Sequence, residues 1–570
     1  MRLKGADIIL ECLLEHGVDT VFGYPGGAVL NIYDSIYRYS NKIRHILTSH
    51  EQHAGHAADG YARATGKTGV VIATSGPGAT NLVTAIATAK MDSIPLLAIT
   101  GNVDVDLLGL DSFQEVDITG ITMPVTKHNF LVRDVYDLAD AIRKAFFIAN
   151  DGRKGPVLID VPKNVTAEMC AYVKYEPIKI DICSPVPQDL ENAVVMIKNS
   201  KKPFIYAGGG VTSSGAESEL KKFAEVIDAT VASSLMGQGC FDQTDPRYIG
   251  MLGMHGTVAA SIAAHECDLF IALGTRFSDR VTGDKQKFAA KAKILHIDID
   301  EVEHGKNIPV DLEIVCDAKT ALSFFNKTLK KKDNGDWVKT IHDKSFQTHI
   351  SQDGTKEFPV TPELILKTLD KLTDNGAIIT TEVGQNQMWA AMYGTYKNPR
   401  SFITSGGLGT MGFGLGAAIG AKIGRPDKTV VNVAGDGSFG MNLSELVTLS
   451  KYKIPIIQLV LNNNVLGMVR QWQRLFYEQR YSHTTLDRSV DYVKLGEAFG
   501  IKCLIIESEE DVELMLKQAL ALSKNGEPVL IECRIDRDIN VLPMVPAGQD
   551  IGNPIIEMFD GGEVINLCKD

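Results

Sequence analysis

Gly435-Asp436-Gly437 sets a carboxylate between two glycines, and Asn462-Asn463-Asn464 sets carboxamides 27 residues beyond it, counted from Asp436 to Asn463. The segment KTVVNVA (428–434) is a β-branched run that stops at a glycine and reads as a buried strand. Met441 to Tyr452 carries apolar Leu443, Leu446, Val447 and Leu449, which suits one helix with Asn442 or Ser444 near its start. IPIIQLVL (454–461) is a second apolar strand. Strand, helix and strand in succession predict two parallel strands. Asp436 and Asn463 then stand just past the carboxyl ends of both, the edge at which open parallel sheets collect ligands. Two hard oxygen ligands with room for water and phosphate oxygens describe a Mg²⁺-diphosphate site. Gly435 and Gly437 let the backbone approach a phosphate closely. Asp-Gly and Asn-Asn are also ordinary turn formers; the strand-helix-strand setting favours the ligand site.

A second carboxylate, Glu51, closes a short strand and opens an Ala-rich helix in RHILTSHEQHAGHAADGYARATG (44–66). It can face a cofactor pocket, or simply favour the helix dipole. HEQHAGH falls short of the zinc pattern H-E-x-x-H because Ala54 stands where the second His belongs. YPGGA (24–28), with Gly27, and TSGPGATN (74–81), with Pro77, are Gly/Pro turns, the second feeding a helix. YAGGGV (206–211), with Gly208 and Gly209, follows a strand and could admit a nucleotide diphosphate, although it lacks the G-x-G-x-x-G spacing. Arg276 in GTRFSDRVTG (274–283) lies just beyond another strand and can hold a carboxylate or phosphate bidentately. In MVRQWQRLFYEQRYSH (468–483), Met468, Trp472 and Leu475 share a helical face, for which packing is the default reading.

The elements that must position these groups alternate along the whole chain. Strand-like runs include GVVIATS (69–75), IPLLAIT (94–100), PVLIDVP (156–162), PFIYAGGG (203–210), LFIALGT (269–275) and KILHIDID (293–300), with helical patterns between them, so the class is α/β. With 570 residues the chain is too long for one core. Breaks near 167–188 and 329–337 suggest three units at 1–165, 190–345 and 360–545, followed by a tail at 546–570. Each is expected to be a mostly parallel sheet flanked by helices. A net charge of −12 argues against nucleic acid as the main partner. No apolar run reaches a membrane span. Nine scattered cysteines without C-x-x-C fit free thiols in a reducing cytoplasm.

The Gly-Asp-Gly to Asn-Asn spacing resembles the diphosphate motif of thiamine-diphosphate enzymes. VFGYPGGA, AADGYARATG, TSGPGATN, SFQEVDI, GMHGT, RFSDRVTG, GQNQMW, GLGTMGFGLGAAIGA and GDGSFGMN follow in one order across most of the chain. Jointly they resemble the large catalytic subunit of the acetohydroxyacid (acetolactate) synthase family. The resemblance implies a pyrimidine-binding, a central FAD-binding and a diphosphate-binding domain. It implies that Glu51 activates thiamine diphosphate, that Asp436, Asn463 and the Val465 carbonyl hold Mg²⁺, and that Met411 props the cofactor in its bent form. It places Gln385, Asn386, Gly435, Gly437, Ser438 and Met468 near the diphosphate half, and Gly27 and Pro77 with Glu51. Gly208, Gly209, Gly253, His255, Arg276, Asp298 and Asp317 are the implied FAD contacts. Phe113, Gln114 and Lys163 are implied in the substrate funnel, with Arg276 and Trp472 on the second oxo acid. Asn386 and Ser278 depart from the common His and Asp at their positions.

The implied activity decarboxylates pyruvate on thiamine diphosphate. It passes the hydroxyethyl unit to pyruvate or 2-oxobutyrate, on the route to valine, leucine and isoleucine. A homodimer or dimer of dimers, a small regulatory subunit and a structural or vestigial FAD are implied with it. The main rival is a thiamine- and FAD-dependent pyruvate oxidase, against which Arg276 and Trp472 count.

Overall fold

The computed structural model describes residues 1–181, 184–345, 358–487, 490–558 and 564–567. Its frame is three six-stranded sheets, each paired in parallel throughout. The first orders Arg44–Leu47, Thr20–Gly23, Gly69–Ala73, Leu96–Asn102, Pro156–Pro162 and His128–Leu131. The third orders Phe402–Ile403, Ile378–Thr381, Val430–Gly435, Ile456–Asn462, Val529–Arg534 and Lys502–Ile506. Numbered by sequence within each sheet, both run 2-1-3-4-6-5, a shared winding that no sequence repeat betrays. The central sheet orders Tyr248–Met251, Thr230–Ser233, Pro203–Ala207, Leu269–Leu273, Lys293–Asp298 and Leu312–Val315. That is 3-2-1-4-5-6, the dinucleotide-binding Rossmann order, reached here without its glycine fingerprint.

Continuous apolar strands suit sheets covered on both faces, and the inner strands of the first and third sheets are almost wholly buried, while their edge strands are partly exposed. The first and third units share one core. Helix Glu51–Thr65 crosses helix Gly414–Gly424 backbone to backbone. A Cβ on Gly60 would stand 2.1 Å from the Ala417 carbonyl oxygen, and one on Gly420 would stand 1.8 Å from that of Ala57. Only glycine permits that approach.

Two readings of local structure need correction. Met441 to Tyr452 is not one helix. A four-residue helix, Asp436–Phe439, begins on the strand end itself, a 3₁₀ turn spans Leu443–Glu445, and the α-helix runs Leu446–Tyr452. Asn442 makes no capping bond there, because its amide nitrogen donates to the buried Glu382 carboxylate instead. The C-terminal segment is also more than a tail. Ile555–Met558 pairs antiparallel with Val564–Asn566, and Leu542, Met544, Ile555 and Met558 form a cluster against which Trp472 and Leu475 pack. Among the described residues no helix is long and apolar enough to cross a membrane.

Candidate active site

The carboxyl edge of the third sheet gathers the diphosphate-half candidates. Asp436 and Asn463 follow directly on adjacent parallel strands, and each is only 8% exposed. The Asn463 carboxamide oxygen accepts from the Val465 N–H at 3.3 Å, which holds those two residues in one turn. A carboxylate, a carboxamide oxygen and a backbone carbonyl are all hard oxygen donors, the set a Mg²⁺ ion takes alongside waters and phosphate. Gln385 and Asn386 open helix Gln385–Tyr393 beside them. Asn386 donates to the Val433 carbonyl at 2.9 Å, and a Cβ on Gly435 would lie 3.4 Å from its amide oxygen. Gln385 donates to Gln471 and the Ile539 carbonyl. Gly467 must be glycine, since a Cβ there would come within 1.9 Å of the Gln385 amide oxygen. Gly437 faces Leu466 with no room for a side chain, at 2.6 Å.

The sequence reading passed over Glu382, which organises this edge. It is fully buried at the end of strand Ile378–Thr381. Its carboxylate accepts from the N–H groups of Gly412 (2.9 Å) and Leu415 (3.1 Å), the Ser438 hydroxyl (2.8 Å) and Asn442. The turn after Met411 and the Gly-Asp-Gly segment are thereby tied to one group. A lone Glu in TTEVG carries no spacing signal that would have revealed it.

The carboxyl edge of the first sheet holds a different set. Glu51 is half-buried at the start of its helix, and its carboxylate accepts from the Asn81 amide at 3.0 Å. A Cβ on Gly78 would stand 3.2 Å from the same carboxylate, so the turn after Pro77 is kept bare around it. Gly76, at φ +57, approaches the Gln114 carbonyl, with 2.8 Å left for a Cβ. Phe113 next to it is 88% exposed. Gly27 is exposed at the start of the turn Gly27–Val29, and Lys163 opens helix Lys163–Ala167 with its side chain exposed. Two histidines of HEQHAGH are otherwise engaged: His50 caps the helix through the Gln52 N–H, and His53 bonds Glu445. Among the described residues no three His, Cys, Asp or Glu converge as metal ligands.

A cavity of about 730 Å³ opens at the carboxyl edge of the central sheet and reaches the other two units. Gly209, Gly253, His255, Arg276, Asp298, Asp317, Met468 and Trp472 all line it; Gly208 lies just outside its wall. A Cβ on Gly208 would clash with the Gly274 carbonyl at 2.3 Å, so that glycine serves close backbone packing. His255 is buried and donates through Nδ1 to the Pro543 carbonyl at 3.3 Å; burial depresses its pKa to about 4. Burial pushes Asp298 up to about 6. Asp317 spends one oxygen capping helix Ala318–Thr328 through the Lys319 and Thr320 N–H groups. The cavity also takes in Arg63 and Asp92, a buried ion pair that joins the first unit to Gly406 and Gly407 of the third. Trp472 packs on the C-terminal cluster and also lines the cavity. Neither Glu51 nor Asp436 lines that cavity. The structure thus shows a carboxylate and a carboxamide on the third sheet's edge, a cavity that reaches all three units, and a separate rim around Glu51.

Three family models match the chain in sequence. Residues 3–121 match the N-terminal TPP binding domain of thiamine pyrophosphate enzymes, 190–325 their central domain, and 382–533 their C-terminal TPP binding domain. Fold and matches together define a thiamine-diphosphate-dependent enzyme. A probable acetolactate synthase large subunit of Methanocaldococcus jannaschii is 46% identical over 97% of this chain and 95% of its own. The acetolactate synthase large subunit of Porphyra purpurea is 44% identical over 96% and 94%, and the acetolactate synthase of Mycobacterium leprae is 45% identical over 96% and 89%. The chain belongs to the acetolactate synthase large-subunit family of thiamine-diphosphate-dependent carboligases.

Proposed function

We propose that the chain decarboxylates pyruvate and transfers the resulting two-carbon unit to a second pyruvate or to 2-oxobutyrate. The products are 2-acetolactate or 2-aceto-2-hydroxybutyrate, on the route to the branched-chain amino acids. The observation that carries the residue assignment is the pair of like-wound sheets, one ending in Glu51 and the other in Asp436 and Asn463. Bound thiamine diphosphate supplies the stabilisation of negative charge on carbon that decarboxylation and carboligation both need. Glu51 exchanges a proton with the aminopyrimidine ring of the cofactor, as a positioned carboxyl group can. Asp436, Asn463 and the Val465 carbonyl hold Mg²⁺ at the diphosphate, with Gln385, Asn386, Gly435, Gly437, Ser438 and Met468 around it. Met411, a flexible apolar side chain, supports the cofactor's shape. Arg276 binds the carboxylate of the second oxo acid and Trp472 walls its alkyl group; Phe113, Gln114 and Lys163 line the approach.

The central cavity suits FAD, through Gly209, Gly253, His255, Arg276, Asp298 and Asp317, with Gly208 in the close backbone packing behind them. The sheet order, the cavity volume and an arginine on its wall support that reading. The net reaction moves no electrons, so the flavin is structural. Leu110 and Phe113, 66% and 88% exposed in the loop whose Gln114 meets Gly76, support a homodimer in which each site joins two chains. A small regulatory subunit follows from the name of the large-subunit relatives. Units at 1–165, 190–345 and 360–545 remain our division of the chain. The seven described free thiols fit a cytoplasmic setting.

The test is incubation of the purified chain with pyruvate, Mg²⁺ and thiamine diphosphate, with and without FAD. Acetolactate formed without oxygen uptake is expected. Oxygen uptake or acceptor reduction coupled to turnover would assign the chain to the pyruvate oxidase reading instead.

A further inference from the structure

The segment that ends in Glu51 is gripped from outside its own unit. The 3₁₀ turn Leu443–Glu445 and the helix Leu446–Tyr452 set Glu445, Thr448 and Tyr452 on one face, at i, i+3 and i+7. That face meets the loop between strand Arg44–Leu47 and helix Glu51–Thr65. Tyr452 Oη accepts from the Leu47 N–H at 3.0 Å. The Glu445 carboxylate accepts from the Ser49 N–H (3.0 and 3.2 Å to its two oxygens), the Ser49 hydroxyl (2.7 Å) and His53 Nδ1–H (3.0 Å). The Thr448 hydroxyl adds a 2.6 Å bond from the same helix and helps hold the carboxylate. Glu445 is fully buried and His53 nearly so, and these bonds hold the acid below its usual carboxylate range despite burial. Ser49 and His53 stand two residues before and two after Glu51. Further along, the same helix is locked to the third unit at Gly60 and Gly420.

We propose that Glu445 is a positioning residue for Glu51, setting the place and direction of its carboxylate across the boundary between the third and first units. This rests on the proton-exchange role given to Glu51 above. The Glu445 carboxylate bonds Ser49, His53 and Thr448, so it acts on Glu51 through the chain on either side of it. Through Ser49 and His53 it fixes the chain on both sides of Glu51. Loss of the grip lets the first helical turn shift while the metal edge, anchored by Glu382, stays in place.

The experiment compares wild type, Glu445→Gln, Glu51→Gln and the double variant as holoproteins with thiamine diphosphate and Mg²⁺. Four quantities are read: kcat for acetolactate, the rate of deuterium exchange at the thiazolium C2 position, cofactor Kd by tryptophan fluorescence, and the melting temperature of the chain without cofactor. A displacement near 1 Å costs on the order of 10²-fold, so Glu445→Gln should slow exchange and kcat by about that factor. Cofactor Kd should stay within about twofold, because Asp436 and Asn463 are untouched. The double variant should be no slower than Glu51→Gln, as expected when one residue acts through the other. Unchanged exchange in Glu445→Gln, multiplied losses in the double variant, or a loss that tracks Kd and melting temperature would each overturn the proposal. Wild-type exchange in Glu51→Gln would overturn the Glu51 role first, a distinct outcome. Should Glu445→Gln fail to fold, Ser49→Ala removes only one hydroxyl donor; slower exchange at unchanged Kd supports the proposal and wild-type exchange overturns it.

Discussion

The first and third sheets share one winding and one ligand edge, yet they present opposite chemistry there. The first ends in a half-buried carboxylate held by one amide and kept clear of side chains at Gly78. The third ends in a buried carboxylate and carboxamide on adjacent strands, suited to a divalent ion. Under the proposed function the same fold position serves acid-base chemistry in one sheet and metal binding in the other, according to what surrounds one carboxylate. The central sheet, wound differently, offers a cavity in place of an edge. Function lives in the groups grafted on each sheet and not in the winding.

The contrast between the two edges is sharpest for Glu51→Gln. An amide cannot exchange the proton, so turnover should fall by roughly 10²–10⁴-fold while cofactor affinity holds. Steady-state rates beside a cofactor titration check this, and wild-type turnover would remove the acid-base half of the contrast. Asp436→Ala should do the reverse. It removes the charged ligand of a hard cation, so the half-saturating concentration of Mg²⁺-thiamine diphosphate should rise by about 10²-fold or more. Turnover at saturating cofactor should recover much of its rate. An unchanged half-saturation would break the metal half.

Acid should act on the central unit through His255. Burial depresses His255 from 6.5 to about 4, so its contribution to stability is present above pH 6.5 and is lost as pH falls toward 4. The full loss amounts to about 3 kcal/mol. His255→Asn should flatten the fall in melting temperature of the cofactor-free chain over that window, and an unaltered slope would remove His255 from the account. The smallest effect is expected at Trp472, where the cavity meets the third unit. One methylene in an apolar pocket is worth about 1–3 kcal/mol, so Trp472→Leu should lose roughly tenfold of any preference for 2-oxobutyrate over pyruvate. Product ratios under competition measure it. A stable ratio with both products reduced together would make Trp472 a packing residue only.

Much of this was legible in local pattern. Apolar runs punctuated by Gly and Pro marked the strands to within two or three residues, since a strand buried on both faces needs a continuous apolar run. Asp436 and Asn463 were legible because a parallel pair and its crossover impose their separation. Glu51 was legible as a polar residue between a strand and a helix. The order of the strands was not, because 2-1-3-4-6-5 and 3-2-1-4-5-6 are built from the same strand-helix alternation and differ only in which neighbours pair. The break in Met441–Tyr452 was hidden too, since Asn442 and Glu445 are ordinary helix-surface residues until distant partners claim them. Glu382, Glu445 and the Arg63–Asp92 pair each reach across 29 or more residues of the chain. What the amino-acid sequence determined by itself was the set of elements and the chemistry at their ends, because both follow from spacing over a few residues. What only the tertiary structure decided was which ends meet, which carboxylates are buried among donors, and that one cavity joins all three units, because those depend on packing between segments far apart in the chain.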